Sequence, residues 1–379
     1  MLRSLLITLD FPPRLGGVAN SWSNLLRYLP AADVVVLAPE MDGSLAFDRR
    51  QNYLVYRGAL ISQRKYFWPR WWPLLRQTMA LIKAEKIKRL LVAEVLPGGS
   101  IAFILKKIWN ISYVISCHGL DIKFAQKTVW HRFLLKKILQ NATRVVVNSR
   151  YTGELLKELV SSDKVTIVYP CPNIEKPQYS VDTYTKVRKD LGLSGRRLIL
   201  SVGRLVERKG FDQVLRIMPE LLRRYGNIFY AVVGRGPDQA RLERLIREYE
   251  LTDSVRIFNE VSDEELSVFY EVAEVFVMPS RELMAGDVEG FGIVYLEANA
   301  FGLPVIGGRS GGVPEAVEHN KNGLLVDPLN SNELFQACAA LLDNPIKRRE
   351  LADNGKRRLL QVYNWEKQGQ ILFDLLNIG

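Results

Sequence analysis

Residues 275–298 contain the sequence pattern that most restricts the fold of this chain. An apolar run at 275–278 ends at Pro279, which is typical of a buried strand stopped by proline. After a loop, the Gly-Phe-Gly turn at 290–292 opens a helical pattern. The free N–H groups and the positive dipole end of such a helix start suit a phosphate. Two carboxylates flank this turn, Glu289 before it and Glu297 in the predicted helix.

The segment from Glu289 to Glu297 resembles the E-x7-E signature of retaining, nucleotide-sugar-dependent glycosyltransferases of the group-4 family, which have the GT-B fold. In that family the first glutamate holds hydroxyls of the donor sugar, and the second holds the ribose hydroxyls. The glycine turn between them offers backbone N–H groups to the sugar or the diphosphate. The resemblance therefore implies donor-binding roles for Glu289, Phe291, Gly292, Ile293 and Glu297.

Strand and helix patterns alternate along the whole chain. Short apolar runs occur at 2–9, 34–38, 53–56, 89–95, 113–117, 144–148, 197–202 and 255–258. This alternation predicts an α/β fold with parallel, doubly wound sheets, and 379 residues suffice for two domains. The resemblance implies two Rossmann-like domains that face a central cleft. We expect an acceptor-side domain at 1–172, a nucleotide-sugar domain at 173–363, and a final helix at 364–379 that packs back on the first domain.

Composition restricts the class of protein. Hydrophobic residues make up 47% of the chain and charged residues 25%, as in soluble globular proteins. The three cysteines are scattered, which favours a reducing compartment over a disulfide framework or a structural zinc site. The apolar start of the chain is predicted to be a strand rather than a signal peptide. No apolar run approaches the ~18 residues that a membrane span needs.

Positive charge is concentrated in the first half of the chain. Residues 1–172 contain 25 Lys and Arg against 11 Asp and Glu, a net charge of +14. Because the total is +11, the remainder carries −3. Six of the seven tryptophans also lie in this half. The two halves are therefore expected to meet different partners.

Residues 57–89 combine cations with clustered aromatic side chains. The stretch has nine Lys and Arg against the single acid Glu85, together with Tyr66, Phe67, Trp68, Trp71 and Trp72. Its leucines are spaced for a helix with one apolar face. Such a segment is typical of a helix lying on an anionic membrane surface. The alternative is a helix packed on the core with a solvated basic face, but exposed tryptophans favour membrane contact.

Two glycines and one histidine follow strands in the first half. Gly16 and Gly17 come after the first strand and open a helix. They resemble the family's N-terminal Gly-Gly loop, which lies under the donor phosphates. His118 directly follows the strand at 113–117, and open α/β sheets bind ligands at this end of their strands. It matches the family's His-Gly turn, which implies that it contacts the donor sugar as a catalytic residue.

The second half contains further matches to the family. Gly203-Arg204 and Lys209-Gly210 follow a strand, and in the family these cations clamp the leaving diphosphate. Fixed cations stabilise the negative charge that develops there, so we expect no metal and no cofactor beyond the nucleotide-sugar co-substrate. Val261 lies where the family's backbone meets the base. The expected catalytic residues are therefore His118, Arg204, Lys209 and Glu289.

Other functions fit the residues less well. A glycosidase needs two facing carboxyl groups about 5–10 Å apart, whereas Glu289 and Glu297 on one helix would lie about 12 Å apart along its axis. A nucleic-acid binder would fit the basic half, but no nucleic-acid motif occurs. A sugar-nucleotide epimerase or a non-catalytic relative shares the fold, which does not determine function.

The substrates are predicted from the resemblance alone. Residues 287–292 and the basic first half look most like bacterial mannosyltransferases that act on phosphatidylinositol mannosides. We therefore expect transfer of mannose from GDP-mannose to a lipid-linked or glycan acceptor, by a cytoplasmic protein peripheral on the inner face of the cell membrane. A UDP-hexose donor and a polysaccharide or small-metabolite acceptor stay open.

Overall fold

Runs of aliphatic and β-branched residues form the strands of two parallel sheets. The computed structural model describes residues 1–14, 16–64, 68–125, 128–172, 180–190, 192, 195–284 and 286–377. It divides the chain into two units, one comprising Met1–Pro170 with Asn364–Gly379 and the other Cys171–Tyr363. The division after Pro170 lies beside the proline-punctuated segment in which the sequence suggests a boundary at 172.

Seven strands form the sheet that the structure describes in the first unit, and six form that of the second. The strands are β1 (Ser4–Ile7), β2 (Val34–Pro39), β3 (Leu54–Gly58), β4 (Arg89–Val92), β5 (Ser112–Cys117), β6 (Arg144–Val147), β7 (Val165–Ile167), β8 (Arg197–Val202), β9 (Ile228–Val233), β10 (Val255–Phe258), β11 (Val275–Met278), β12 (Val305–Gly308) and β13 (Gly323–Val326). Their spatial orders are β3-β2-β1-β4-β5-β6-β7 and β10-β9-β8-β11-β12-β13.

Helices connect most of these strands. They are α1 (Gly17–Leu26), α2 (Ser44–Asp48), α3 (Trp72–Ala84), α4 (Ser100–Trp109), α5 (Leu120–Ala125), α6 (Val129–Asn141), α7 (Arg150–Glu154), α8 (Val181–Asp190), α9 (Phe211–Tyr225), α10 (Gln239–Glu248), α11 (Asp263–Val272), α12 (Ile293–Ala300), α13 (Val313–Ala316), α14 (Ser331–Asp343), α15 (Pro345–Gln361) and α16 (Trp365–Asn377).

Each sheet reverses its winding once. In the first unit the chain adds β2 and β3 on one side of β1 and then β4 to β7 on the other. In the second unit the same reversal occurs between β8 and β11. All neighbouring strands are parallel, as in the pair Phe276 and Leu200 of β11 and β8. The predicted α/β fold with two doubly wound sheets is confirmed.

The core of the first unit lies on both faces of its sheet. Alternate strand residues such as Leu5 and Val92 pack with α3, α4 and α6. The intervening residues, such as Leu6 and Leu91, pack with α1 and α16. This period-two division is what a strand with two covered faces requires. The last helix thus belongs to the first unit, and Trp365 at its start packs on that core.

The structure changes the interpretation of residues 57–89. The leucine face of α3 is buried in the core, so α3 is not a helix that lays this face into lipid. Arg57 pairs with Asp48 at 2.7 Å, and the buried Arg89 donates to the Leu376 carbonyl oxygen. The packed-helix alternative is therefore correct for the body of α3. Residues 65–67, which include two of the aromatic side chains, lie outside the described residues.

Candidate functional site

The reversal between β8 and β11 positions the candidate donor site. Ligands of open α/β sheets bind beyond the carboxyl ends of the strands at such a reversal. Arg204 and Lys209 lie in the connection that follows β8, and Glu289 lies in the connection that follows β11. Arg204 and Glu289 are 85 positions apart in the sequence. Because β8 and β11 are neighbours, the two residues lie in adjacent loops at the carboxyl edge of the sheet.

Lys209 and Glu289 form a nearly buried ion pair. Lys209 Nζ lies 2.6 Å from Glu289 Oε2. The guanidinium of Arg208 lies 3.9 Å from the same carboxylate and 3.3 Å from that of Asp287. Burial by itself would raise the pKa of Glu289, but the charges of Lys209 and Arg208 outweigh it and hold this pKa below its usual value. Glu289 is thus an anion held between two cations.

The glycine turn after Glu289 starts α12 as predicted. Gly292 adopts φ +90°, a left-handed conformation that favours glycine, and Ile293 is the first helical residue. The N–H groups of Gly292, Ile293 and Val294 have no acceptor among the residues that the structure describes. Phe291 is buried against Tyr363, with ring centroids 5.6 Å apart. The turn therefore leaves three backbone donors without a partner in the described part of the chain, and Phe291 packs its side chain against Tyr363.

The helix start corrects one step of the comparison with glycosidases. Because α12 begins at Ile293, Glu289 lies before the helix, and the separation along a helix axis does not apply to this pair. Glu297 lies on the helix and accepts a hydrogen bond of 3.1 Å from the Tyr270 hydroxyl. Burial raises the pKa of Glu297, against the opposing effects of the Tyr270 hydrogen bond and the Lys209 charge. The two glutamates differ in partners and in the direction of their pKa shifts.

Close backbone packing aligns the loops at this edge. A Cβ atom on Gly234, which follows β9, would overlap the carbonyl oxygen of Gly203. A Cβ atom on Gly312 would overlap that of Gly290, and the Gly312 N–H donates to the Glu289 carbonyl oxygen at 2.9 Å. These glycines allow neighbouring loops to pack closely through their backbones beside Arg204 and Glu289.

Arg204 and Val261 are placed more loosely. The Arg204 side chain is exposed, and no ion pair or hydrogen bond ties it to the described residues. Val261 is half-buried and precedes Ser262, which caps α11 in a capping box with Glu265. α11 also carries Tyr270, the partner of Glu297. Neither position contradicts the predicted donor contacts, which stay predictions.

A buried ion-pair network behind this site is not foreseen in the sequence. Arg281 donates to both carboxylate oxygens of Asp212, at 2.9 and 3.0 Å, and both side chains are buried. Arg241 also reaches Asp212, at 3.5 Å. The Arg281 N–H donates to the Arg208 carbonyl oxygen at 2.8 Å. The network therefore joins the loop that carries Lys209 to the loop that carries Glu289. Its only signal in the sequence is that Arg281 follows Pro279 and Ser280 at the end of a strand.

The first unit holds the remaining candidates at the carboxyl edge of its own sheet. Gly16 precedes α1 and Gly17 is its first residue. His118 Nε2 lies 3.0 Å from the carbonyl oxygen of Ala93 and 3.3 Å from Ser116 Oγ. Because a carbonyl oxygen only accepts, Nε2 carries the proton in this arrangement. Nδ1 of a neutral His118 is then left to accept a hydrogen bond from a ligand hydroxyl.

Glu94 is a further candidate site residue, which sequence reasoning missed. It follows β4, next to the reversal between β1 and β4. Its carboxylate accepts from the Leu9 N–H at 3.0 Å and lies 2.9 Å from Thr8 Oγ1. Burial raises the pKa of Glu94 to about 7, although both hydrogen bonds oppose the shift. A glutamate after an apolar strand is the only signal that the sequence offers.

The described part of the chain offers neither a metal site nor a helix that spans a membrane. No group of three or more His, Cys, Asp or Glu side chains in it is arranged to hold a metal ion. Among the same residues, no helix combines the length and the apolar character needed to cross a bilayer.

Two family profiles match the chain. The profile described as Glycosyl transferases group 1 matches residues 184–358, and that described as Glycosyltransferase Family 4 matches residues 15–176. The first match lies within the second unit, and the other covers most of the first unit and ends six residues beyond Pro170.

Curated relatives match along the full length. A GDP-mannose-dependent alpha-(1-6)-phosphatidylinositol monomannoside mannosyltransferase of Mycolicibacterium smegmatis is 31% identical over 98% of this chain and 98% of its own length. The protein of the same name from Mycobacterium tuberculosis strain H37Rv is 30% identical over 99% of this chain and 98% of its own.

Solved structures share the fold at lower identity. Anabaena HepE in complex with UDP has a TM-score of 0.82 and 17% identity, and the match covers 99% of this chain and all of that one. Sucrose-phosphate synthase from Thermosynechococcus elongatus has a TM-score of 0.81 and 23% identity, and the match covers all of this chain and 98% of that one.

Proposed function

Because this chain belongs to the group 1 family of glycosyltransferases with the GT-B fold, we propose that it transfers a hexose from a nucleotide sugar to a lipid-linked or glycan acceptor at a membrane surface. That it is a glycosyltransferase follows from the family; the donor, acceptor and place of action are our proposal. The observation that carries it is the meeting of Lys209 with Glu289 at the sheet reversal, beside the start of α12.

GDP-mannose is the donor that we propose. The support is that two relatives, matched over 98% and 99% of this chain at 31% and 30% identity, are GDP-mannose-dependent mannosyltransferases by name. In this proposal Glu297 holds the ribose hydroxyls, and the N–H groups at 292–294 bind the diphosphate or the sugar. Glu289 accepts hydrogen bonds from sugar hydroxyls, which a carboxylate with a lowered pKa does well.

The leaving diphosphate needs positive charge, and Lys209 and Arg204 supply it. The bond between the sugar C1 and the phosphate oxygen breaks, and the acceptor hydroxyl oxygen bonds to C1. The acceptor proton passes to the phosphate oxygen, and attack occurs on the face from which the diphosphate leaves, so the anomeric configuration is retained. Fixed cations lower the barrier to this departure, so we propose that the reaction requires no metal. His118 Nδ1 accepts a hydrogen bond from a hydroxyl of the sugar.

The proposed membrane contact is narrower than the stretch 57–89. Trp68 and Trp72, at the start of α3, are 89% and 50% exposed, whereas the leucines of α3 are buried. We place these two tryptophans against an anionic bilayer on the inner face of the cell membrane. Trp71 packs on the core and is left out.

Calorimetry with GDP-mannose, UDP-glucose and ADP-glucose tests the donor assignment, on the wild-type protein and on Glu297→Ala. We expect tight binding of the GDP sugar, weakened by the substitution. Turnover with phosphatidylinositol monomannoside then tests the acceptor. The same assay with EDTA tests whether the reaction needs a metal, and the anomeric proton coupling of the product tests whether the configuration is retained. Preference for UDP or ADP sugars overturns the GDP-mannose assignment, and binding of no nucleotide sugar overturns the proposal.

A further inference from the structure

Helix α6 has apolar residues on the side that faces away from the core. Val129, Trp130 and Phe133 are 85%, 83% and 56% exposed, whereas Leu135, Ile138 and Leu139 are fully buried. At about 100° per residue, the three exposed residues fall within about 100° of one another, roughly opposite the buried ones. A surface helix of a soluble protein normally places polar residues on that side. The exposed face of α6 is therefore a candidate docking surface.

The charges around this face identify the kind of partner. Arg132, Lys136 and Lys137 flank the exposed apolar residues, and all three are exposed. α6 contains no Asp or Glu. Arg132 lies 3.3 Å from Glu158, but both side chains are largely exposed. Such exposed ion pairs contribute little to the free energy of folding. Aromatic side chains can enter the apolar part of a lipid bilayer while the cations beside them bind its negatively charged head groups.

The topology puts this face on the same edge as the tryptophans of α3. Helices α3, α4 and α6 cover one face of the first sheet. Each runs against the strands: the Tyr113 hydroxyl near the start of β5 donates to the carbonyl oxygen of Ile138 near the end of α6. Lys83 near the end of α3 lies over the Trp109 ring at the end of α4. The starts of α3 and α6 therefore both lie at the carboxyl edge of the strands, flanking the start of α4.

We propose that α6 docks this unit on an anionic lipid bilayer, together with the start of α3. The surface, here called the apolar edge, consists of Trp68, Trp72, Val129, Trp130 and Phe133. The tryptophans near the start of α3 and the exposed residues of α6 are two helix spacings of about 10 Å apart. The apolar edge would therefore contact the lipid at two places. His118 follows β5 at the same edge of the sheet. The inference rests on the proposed function, because docking would bring a lipid acceptor to the sheet edge that carries His118.

The test measures binding of the full chain to vesicles of phosphatidylcholine with 30% phosphatidylglycerol, and to phosphatidylcholine alone. We expect Trp130→Ala with Phe133→Ala to weaken partition onto the anionic vesicles at least 10-fold. Lys136→Glu with Lys137→Glu should weaken it similarly at low salt and less at high salt, because salt screens charge. The matched control is Leu329→Ala with Ile346→Ala, two exposed apolar residues of the second unit, which should bind as wild type does.

Unchanged vesicle binding by the aromatic double variant overturns the inference. So does sedimentation equilibrium that shows a wild-type dimer lost in this variant, because a second copy of the chain then covers the face. Nucleotide-sugar binding without vesicles separates this inference from the proposed function. If the wild type binds vesicles through α6 but binds no nucleotide sugar, the proposed function fails and the docking surface stands.

Discussion

Lys209 Nζ lies 2.6 Å from Glu289 Oε2, although the two residues are 80 positions apart in the sequence. One belongs to the loop after β8 and the other to the loop after β11, which are neighbours in the sheet. The pair keeps a cation and an anion close together at one sheet edge. In the proposed reaction the cation faces the diphosphate and the anion faces the sugar.

Replacing Lys209 should affect chemistry more than donor binding. We expect Lys209→Met to lower kcat by about 100-fold or more, the usual effect of removing one group that stabilises charge in the transition state. Initial rates of nucleoside diphosphate release over a range of donor concentrations measure this effect. The exposed Lys321→Met serves as the control and should retain wild-type rates.

The double variant Lys209→Met with Glu289→Gln tests whether the two residues act as a pair. Each single variant removes one partner of the 2.6 Å contact in a nearly buried site, so their effects on unfolding should not add. The thermal midpoints of all four proteins give the coupling. Strict additivity would show that the ion pair does not form in solution.

Nucleotide binding should depend on pH through Glu297. Because burial raises its pKa, Glu297 takes up a proton at a higher pH than an ordinary carboxyl group. A protonated carboxyl accepts ribose hydrogen bonds poorly, so affinity should fall on acidification. Calorimetry over a series of decreasing pH values should show this fall in the wild type and lose it in Glu297→Gln.

Tyr270→Phe is the companion substitution for Glu297. It removes the hydroxyl that donates to the carboxylate but keeps the buried ring, which stacks near Phe301. Loss of one hydrogen bond to a charged group costs about 1.5–3 kcal/mol at most, so we expect a smaller loss of affinity than in Glu297→Ala. An equal or larger loss would mean that the tyrosine, not the glutamate, contacts the nucleotide.

The Arg281–Asp212 pair should contribute strongly to stability. Both side chains are buried, so Arg281→Met leaves a buried carboxylate whose remaining cation, Arg241, lies 3.5 Å away. Breaking such a pair costs about 3–5 kcal/mol. The exposed pair Arg224–Asp343 has a single hydrogen bond of 2.6 Å, and Arg224→Met should cost less than about 1 kcal/mol. Urea unfolding followed by circular dichroism compares the two, and equal losses would contradict the prediction.

Glu94 should make the first unit less stable as pH rises. Its pKa is about 7 in the folded chain against an ordinary value of 4.5, so the folded state binds more protons between these values. The free energy of unfolding therefore falls as pH rises through this window, by on the order of 3 kcal/mol in total. Unfolding midpoints at pH 5 and pH 8 should differ in the wild type and differ less in Glu94→Gln.

The exposed Glu40→Gln is the control for Glu94. It should leave the pH dependence of unfolding as it is in the wild type. A Glu94→Gln protein with the full wild-type pH dependence would assign the effect to other groups.

Much of the fold could be predicted because its signals are local. The turn at 290–292 and the alternation of apolar runs with helical patterns depend on residues close in sequence, and α12 does begin directly after Gly292. Candidate residues in the connections that follow strands, such as Lys209 and His118, lie at the carboxyl edges of the sheets for the same reason.

The sequence by itself determined two doubly wound sheets and the group of residues at the reversal of the second, since periodicity and turn chemistry act over a few positions. Only the tertiary structure decided which charged side chains form ion pairs and which apolar helix faces are buried. It buries the leucines of α3, pairs Arg281 with Asp212 across 69 positions, and leaves Trp130 of α6 exposed. The physical reason is that burial is set by neighbours distant in sequence, which no local pattern records.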